Sequence, residues 1–315
     1  MRQPTAAEPA STCDISVVIP TRDRPEALHR CLTALAGQTL SRERFEVIVV
    51  NDGGLRPLHS WVRPFCDRLT LRLLEPPHGG PARARNVGAE HARGAVLAFT
   101  DDDCEPQSDW LTVAGNSAQR HPRAAIGGQT VNALASNPYA TASHLLIDYL
   151  YAYHSDAGRL SGSAPAAPPF LTSNNLIVSA RPFHQVGGFD ESFPLAGGED
   201  REFCDRWQQA GFELLHEPGA IVKHSHELTL SRFWRQHMNY GRGRFHLQQA
   251  RAVRGGPTLR FEPLSFYWRL VMFPLGVVSA RSWPLLVALL FISQVANALG
   301  FLRERRKARV TVSSQ

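Results

Sequence analysis

One short apolar run that ends in carboxylates constrains the fold of this chain more than any other stretch. Residues 95–99 read Ala-Val-Leu-Ala-Phe, which is typical of a strand buried on both faces of a parallel sheet. After one threonine come Asp101, Asp102 and Asp103. Because adjacent like charges repel one another, a fold that fixes them in one loop normally supplies a cation, and Mg²⁺ or Mn²⁺ suits oxygen ligands. A solvated acidic turn is the alternative for this stretch taken alone.

Two earlier apolar runs repeat the pattern of a strand followed by polar residues. Residues 15–19, Ile-Ser-Val-Val-Ile, predict a first strand that Pro20 closes, and a helical pattern follows. Residues 45–50 predict a second strand, which runs into Asp52, and a third strand is predicted at residues 69–74. Strands that alternate with helices predict an open α/β sheet, which binds ligands at the carboxyl ends of its strands. The carboxylates of these loops should therefore line one crevice.

The loop after the first strand lacks the glycines of a dinucleotide site. It reads Pro20-Thr21-Arg22-Asp23-Arg24, and no glycine there lets the backbone approach a pyrophosphate. A dinucleotide-binding Rossmann enzyme is therefore not expected.

The second half of the chain carries another acidic pair. Residues 157–169 are rich in Ala, Pro, Gly and Ser and predict a long loop, after which residues 170–178 predict a strand. Glu199 and Asp200 then follow two glycines at the start of a predicted helix. Acids in this position either complement the helix dipole or take part in chemistry, and the residues alone leave both readings open.

Charge and cysteine content limit the functional classes. The 315 residues carry a net charge of +6, but much of the excess lies in a basic cluster at residues 303–309, so no nucleic-acid partner is expected. The five cysteines show no CxxC spacing, which disfavours a zinc knuckle or a disulfide framework and favours a reducing compartment. Residues 1–13 have the composition of a disordered N-terminus, and we exclude them from the fold.

Four separated stretches together carry a family likeness. They are Val-Val-Ile-Pro-Thr at 17–21, Val-Val-Asn-Asp-Gly at 49–53, Ala-Arg-Asn-Val-Gly at 84–88 with Phe-Thr-Asp-Asp-Asp at 99–103, and Gly-Glu-Asp at 198–200. In this order and spacing they resemble the family 2 glycosyltransferases, inverting enzymes that move a sugar from a nucleotide diphosphate to an acceptor. The resemblance spans residues 14–226. It implies the α/β GT-A fold, a Rossmann-like, open and mostly parallel sheet with flanking helices, here followed by C-terminal hydrophobic helices.

The resemblance implies a site for the nucleotide of the sugar donor, which would be a UDP, dTDP or GDP sugar. The residues that correspond to this site are Pro20, Thr21, Arg22, Asp52, Arg83 and Arg85. Asp52 would accept a hydrogen bond from the base, and Arg83 would meet the charge of the diphosphate. Arg22 departs from the aromatic residue common at its position, although a guanidinium also stacks on a base.

The resemblance also implies a site for Mg²⁺ or Mn²⁺. Asp101 and Asp103 resemble the DxD motif and are both expected at the metal, with Asp103 preferred as the direct ligand, and Asp101 and Asp102 are also expected at the donor. His224 or His226 resembles a late histidine that approaches the metal or the diphosphate in some members. A surface or packing role is the alternative for this histidine pair.

A catalytic base is implied at Asp200, with Glu199 as its orienting neighbour. The chemistry agrees with this assignment, because a carboxylate opposite the leaving group would take the proton of the acceptor hydroxyl. A cation held by Asp103 would neutralise the diphosphate leaving group. A glycoside hydrolase also uses two carboxylates, but it needs neither a metal cluster nor a nucleotide pocket.

The C-terminal part predicts contact with a membrane. Residues 240–244, Tyr-Gly-Arg-Gly-Arg, predict a mobile flap near an anionic or lipid-linked acceptor, or else a solvated helix end. Residues 282–302 contain no charge and are long enough to cross a bilayer, and the basic cluster that follows favours a cytoplasmic C-terminus. We therefore expect either two membrane segments, the first within residues 264–280, or a pair of helices lying in the interface. Two buried or dimer-forming helices are the soluble alternative.

The sequence thus predicts a GT-A domain at residues 14–255 and a membrane-associated helical tail at residues 256–315. The expected function is metal-dependent, inverting sugar transfer at the cytoplasmic face of the cell membrane, to a lipid-linked or cell-envelope glycan. A nucleotidyl or phosphoryl transferase would use the same acidic cluster, but the chain has no glycine-rich loop ending in Lys and Ser or Thr. A catalytically silent scaffold that binds the nucleotide sugar and docks through its tail is the alternative from another class.

Overall fold

The computed structural model describes residues 13–160, 168, 170–193, 197–256, 262–279 and 281–313, without the side chains of residues 154–160 and 310–313. The strands among these residues are β1 Ile15–Thr21, β2 Phe45–Asn51, β3 Leu71–Leu74, β4 Val96–Thr100, β5 Cys104–Pro106, β6 Ala124–Asn132, β7 Asn175–Ser179 and β8 Glu213–His224. The α-helices are α1 Pro25–Ala36, α2 His59–Val62, α3 Pro81–Glu90, α4 Trp110–Arg120, α5 Pro138–Leu160, α6 Ala180–Val186, α7 Glu199–Gln209, α8 Leu230–Val253, α9 Leu264–Met272 and α10 Trp283–Ser313. Short 3₁₀ turns lie at Arg42–Arg44, Arg63–Phe65 and Phe273–Gly276.

The described strands form one mixed sheet in the order β3-β2-β1-β4-β7-β6-β8-β5. The pairings among β3, β2, β1 and β4 are parallel, as is that of β6 with β8. Strand β7 runs antiparallel to both β4 and β6, and β5 runs antiparallel to β8. The expected α/β class with an open sheet and flanking helices is confirmed, and antiparallel pairs are interleaved with the parallel ones.

The first half of the sheet follows the sequence pattern closely. Every residue of β1 and β2 is buried, because helices cover both faces of the sheet and β-branched side chains fill the space between them. Pro20 does not end the first strand as expected. The parallel register with β2 continues through Pro20, opposite Val50, to Thr21, opposite Asn51.

The chain around the antiparallel strand β7 departs from the sequence prediction. The strand expected at residues 170–178 begins only at Asn175, because Phe170 and Leu171 are buried in the core ahead of it and the backbone N–H of Leu171 contacts the sulfur of Cys204. Helix α5 continues to Leu160, where a loop from residue 157 was expected, and residues 161–167 and 169 lie outside the described part.

The glycine- and arginine-rich segment at residues 240–244 is not a flap. It lies inside α8, and Gly241 and Gly243 are buried. A Cβ atom at Gly241 would collide with the backbone carbonyl of Asn297 on α10, and one at Gly243 with the carbonyl of Gly197. These glycines therefore allow two close backbone contacts, which hold the segment in place.

The tail forms a short helix and a long one. Helix α9 has 9 residues and is followed by a 3₁₀ turn, so it is much shorter than the roughly 20 residues that a membrane-crossing helix needs. Among the described residues, α10 alone is long and apolar enough to span a membrane by length and composition. It packs on α8 and α5 through a cluster that includes Leu145, Phe233, Leu286 and Leu289.

Candidate active site

The loops after β1 and β4 are tied together at the carboxyl edge of the sheet. The Thr21 hydroxyl donates to Oδ2 of Asp102 at 2.6 Å. Arg24 pairs with Oδ1 of Asp102 at 2.6 Å and donates to Oδ2 of Asp103 at 2.8 Å. Asp102 is fully buried, and burial raises its pKa to about 7 although Arg24 opposes the shift. Asp102 therefore holds the two loops together and does not line the cleft.

Asp103 faces a histidine from the neighbouring strand. The antiparallel pairing of β5 with β8 places Cys104 opposite His224, and Nε2 of His224 lies 3.2 Å from Oδ1 of Asp103. Burial alone would raise the pKa of Asp103, but His224 and Arg24 lower it well below its usual range. In return, Asp103 raises the pKa of His224 against the effect of burial. Asp103 is thus held as a carboxylate.

The residues around Asp103 fit a hard divalent cation. Its buried Oδ1 atom has Nε2 of His224 at 3.2 Å but no well-aligned hydrogen bond, and the Asp103 oxygen, the His224 nitrogen and the Cys104 sulfur lie within 4.8 Å of one another. Carboxylate oxygen and imidazole nitrogen are suitable ligands for Mn²⁺, whereas a neutral thiol is not, and burial raises the pKa of Cys104 well above its usual value. Asp103 and His224 are therefore the candidate ligands, with His226 next to them at 5.2 Å between ring centroids.

Asp101 is paired with an arginine. Its Oδ1 atom receives a hydrogen bond of 2.7 Å from Arg85, whose guanidinium also lies 3.4 Å from Oε1 of Glu199. Arg85 is buried and joins the acidic loop after β4 to the start of α7. The predicted metal residue Asp101 and the predicted orienting residue Glu199 are thus brought together by one arginine.

The start of α7 carries two carboxylates with raised pKa values. Gly197 and Gly198 have φ angles of 121° and 111°, and Oε2 of Glu199 turns back to accept from the Gly197 N–H at 2.7 Å. Burial, together with the charge of Asp200, raises the pKa of Glu199 to about 7. Burial also raises the pKa of Asp200 against the opposing charge of Arg201. A carboxylate that is harder to ionise is the better proton acceptor.

One open cleft of about 890 Å³ joins these groups. Asp101, Asp103 and His224 line one part of it, and Glu199 and Asp200 another. Helices α5 and α8 complete its wall; the residues that they contribute include Ser143, His144, Ile147, Tyr151, Arg232, Arg235, Gln236 and Tyr240. The cleft therefore has acidic residues at the strand ends and a mixed polar and basic wall.

Three of the residues expected at the nucleotide, Arg22, Asp52 and Arg83, gather around the loop that follows β3, and none of the three lines the cleft. The carboxylate of Asp52 accepts from the backbone N–H groups of Gly79 and Gly80 and lies 2.8 Å from Nδ1 of His78. Arg22 lies 3.0 Å from the other ring nitrogen of His78. Arg83 reaches the backbone of the same loop, whereas Pro20 and Thr21 are buried in β1.

Sequence reasoning missed two residues of this site, Arg24 and His78. Arg24 lies three residues past the end of β1 and binds the acidic loop, while His78 packs on Asp52 from a loop far along the chain. The position of Arg24 just after a strand end was a usable signal, because such loops meet at the ligand-binding edge. His78 gave a similar signal, since it lies four residues past the end of β3, but the sequence did not show that the loop would bring it to Asp52.

Comparison with protein families identifies the fold and its chemistry. A model of glycosyl transferase family 2 matches residues 16–170, and a model of glycosyl transferase family group 2 matches residues 101–301. The chain belongs to the family 2 glycosyltransferases. The matched ranges of this glycosyltransferase include Asp52, Asp103, Asp200 and α8.

Individual relatives are similar over most of the chain. A pre-mycofactocin glycosyltransferase of Mycobacterium tuberculosis is 29% identical over 91% of this chain, and a validoxylamine A glucosyltransferase of Streptomyces hygroscopicus is 31% identical over 64%. The chain spans 58% and 52% of the lengths of these two relatives. A mannosyltransferase of Pyrobaculum calidifontis, solved with GDP-mannose and Mn²⁺, superposes with a TM-score of 0.61 at 18% identity, covering 94% of this chain and 90% of its own. The GT-A fold of this glycosyltransferase is thus shown.

Proposed function

We propose that this glycosyltransferase moves a sugar from a nucleotide-diphospho-sugar to an acceptor hydroxyl with inversion, using Asp200 as the base and a divalent cation at Asp103 and His224. The observation that carries the proposal is that one cleft is lined both by Asp103 with His224 and by Glu199 with Asp200. Inversion by a single displacement needs a base on one side of the sugar and stabilisation of the leaving group on the other. Arg85, which links Asp101 to Glu199, holds these two parts of the cleft in a fixed relation.

Asp200 would take the proton of the attacking hydroxyl. Its raised pKa makes it a stronger base than an exposed aspartate, and it lines the cleft directly. Glu199 would act as a positioning residue, because its carboxylate is occupied by the Gly197 N–H and by Arg85. The backbone turn that carries Asp200 is thereby fixed.

Asp103 and His224 would hold Mn²⁺ or Mg²⁺. When bound, such a cation neutralises the charge that develops on the diphosphate. The solved relative with GDP-mannose and Mn²⁺ supports a divalent cation together with a nucleotide sugar in this fold. His78, Arg22 and Arg83 lie together around the loop that follows β3 and would contact the nucleotide of a UDP, dTDP or GDP sugar.

The acceptor would be a lipid-linked or cell-envelope glycan at the cytoplasmic face of the membrane. Support comes from the wall of the cleft, because α5 and α8, which line it, also pack on the apolar helix α10. An acceptor held in a membrane would then reach Asp200 along this wall. Arg232 and Arg235 on α8 would meet an anionic group of the acceptor.

The proposal is tested by release of free nucleotide from a panel of UDP, dTDP and GDP sugars, with Mn²⁺, Mg²⁺ or a chelator. We expect one donor class to be cleaved only with a divalent cation. Asp200→Asn should reduce kcat by at least roughly a hundredfold, the order of magnitude contributed by general base catalysis. Asp103→Asn should weaken the dependence of turnover on the divalent cation and also lower kcat, because it removes a metal ligand. Asp67→Asn, at an exposed carboxylate outside the cleft, is the matched control and should behave as the wild-type chain.

Donor binding separates the competing functions. Calorimetry should show that Asp200→Asn still binds the donor, because the base does not hold the nucleotide. Binding without turnover by the wild-type chain, with every acceptor offered, would favour the silent scaffold. Transfer of the nucleotidyl or phosphoryl group in place of the sugar would replace the proposal with the other enzyme class.

A further inference from the structure

The outward side of α10 is apolar along most of its length. Its exposed residues between the first turn and the basic cluster are Pro284, Leu285, Ala288, Phe291, Val295, Ala298, Leu299 and Leu302, here called the α10 stripe. Spacings of three and four residues place them on one helical face, and Phe291 is 61% exposed. From Leu285 to Leu302 the stripe is about 26 Å long. A continuous apolar face of this length normally has a partner.

The opposite side of α10 is fixed lengthwise to the catalytic part of the chain. Leu286 and Leu289 pack with Phe233 near the start of α8. Farther along, Gly241 of α8 abuts the backbone of Asn297, and Arg242 pairs with Glu304 at 2.5 Å. Helix α10 therefore does not leave the domain as a free segment.

This attachment opposes a membrane-crossing orientation. If α10 stood upright in a bilayer, α8 would stand beside it in the hydrocarbon. Helix α8 carries five arginines, namely Arg232, Arg235, Arg242, Arg244 and Arg251. Charged side chains in the hydrocarbon cost free energy, so an upright α10 is disfavoured by its own neighbour. A helix lying flat keeps α8 on the aqueous side.

The surroundings of the stripe fit the surface of an anionic bilayer. Arg303, Arg305 and Arg306 are exposed immediately beyond its end. At the other end, α9 contacts α10 through Phe266, Leu270 and Leu290 and exposes Trp268 by 67%. Tryptophan is common at the membrane–water interface, and arginines close to a membrane surface attract anionic headgroups.

We propose that the α10 stripe lies in the plane of an anionic phospholipid bilayer as an interfacial anchor, with α8 and the cleft on the aqueous side. The inference rests on the membrane association proposed above, but it does not depend on sugar transfer. A second copy of the chain would also cover the apolar residues. The stripe itself has no acidic residue, however, so a copy joined through it would offer no partner to the arginines.

Binding to vesicles tests the partner. The full chain should bind vesicles of equal parts phosphatidylcholine and phosphatidylglycerol, and Phe291→Glu with Leu299→Glu should weaken this binding by roughly tenfold or more. Val253→Glu is the matched control, because this residue is 87% exposed at the end of α8 and outside the stripe. Arg305→Gln and Arg306→Gln should each lower the affinity for these vesicles about fivefold, and each should change the affinity for vesicles of phosphatidylcholine alone very little.

Depth measurements test the orientation. Cys13 and Cys66 are first replaced by serine, and a single cysteine is then introduced at Leu285, Val295 or Leu302 and labelled with a fluorophore. Lipids brominated at different depths of the acyl chain quench the label most strongly at its own depth. An in-plane anchor places all three labels at one shallow depth. A crossing helix places the label at residue 295 deep and the other two shallow, which would overturn the proposal.

The remaining outcomes are also decisive. Light scattering without lipid could show that the wild-type chain is a dimer and that Phe291→Glu is a monomer. If the wild-type chain also fails to bind vesicles, then a second copy is the partner and the proposal fails. If Phe291→Glu no longer binds vesicles but still cleaves the donor in detergent, then the role of the stripe in membrane binding is separate from catalysis. If no donor is ever cleaved but vesicle binding persists, the transferase proposal alone fails.

Discussion

Arg24 occupies the carboxylate of Asp103, which a divalent cation would use. Its guanidinium contacts both Asp102 and Asp103, and the arginine side chain is 50% exposed. A positive charge at this distance stabilises the acidic loop after β4 and competes with any cation that approaches Asp103. In the donor-free protein, Arg24 and the metal are therefore expected to exclude each other in part.

Arg24→Gln is expected to tighten Mn²⁺ binding in the absence of donor by about fivefold, which corresponds to roughly 1 kcal/mol for a half-exposed ion pair. Electron paramagnetic resonance of free Mn²⁺ measures this affinity directly. Arg30→Gln is the control, because Arg30 lines the same cleft but pairs with Glu105. Equal or weaker Mn²⁺ binding by Arg24→Gln would show that Arg24 does not compete with the metal.

The raised pKa of Glu199 makes stability depend on pH. Its folded value is about 7 and its usual value is 4.5, so between these values the folded chain holds a proton that the unfolded chain has released. The contribution of Glu199 to the free energy of unfolding therefore falls as pH rises from about 4.5 to about 7. Glu199→Gln should remove this contribution, on the order of 3 kcal/mol, together with its share of the slope. Urea unfolding across this pH range, without metal or donor, measures the difference, and an unchanged slope in the variant would contradict the assignment.

At the scale of elements, the contact between α8 and α10 depends on glycine. Gly241 of α8 meets the carbonyl of Asn297, and Gly300 of α10 meets that of Met238. Two helices approach this closely only where neither presents a side chain at the crossing. The packing connects the wall of the cleft to the α10 stripe.

Gly241→Ala is expected to destabilise the chain by about 1–3 kcal/mol, the cost of forcing a methyl group into a filled contact, even though alanine favours helix. Thermal or urea unfolding measures the change. Gly276→Ala serves as the control, because a Cβ atom there meets nothing within 4 Å. Equal stability of the two variants would mean that α8 and α10 are not in close backbone contact.

At the scale of the molecule, opposite charges are separated. The ends of the strands carry carboxylates toward the cleft, and the end of α10 carries the arginines that dominate the net charge of +6. The acidic end suits a metal-bound diphosphate, and the basic end suits an anionic surface. Both features act on one rigid framework, because the long helices α5 and α8 contact the cleft and α10 alike.

The sequence alone determined the parallel strands, the family and the two acidic groups. Local patterns carry these features, since a buried strand reads as a continuous apolar run and the acids at its end are adjacent in the chain. Strand β8 was not predicted, because its exposure alternates irregularly and proline and glycine interrupt it at Pro218 and Gly219. The prediction of a flap at residues 240–244 was wrong because it interpreted the glycines as a sign of mobility. They instead allow close packing against a helix that lies more than fifty residues later in the chain.

Only the tertiary structure decided which residues meet. It paired Asp101 with Arg85, and it brought Arg24 to Asp103 and His78 to Asp52 through contacts between loops far apart in sequence. It also fixed α10 along α8, which composition could not show, because an apolar helix has the same sequence pattern whether it crosses a membrane, lies on one or fills a core. Residue type determines what a side chain can do, but the fold determines the neighbours with which it does it.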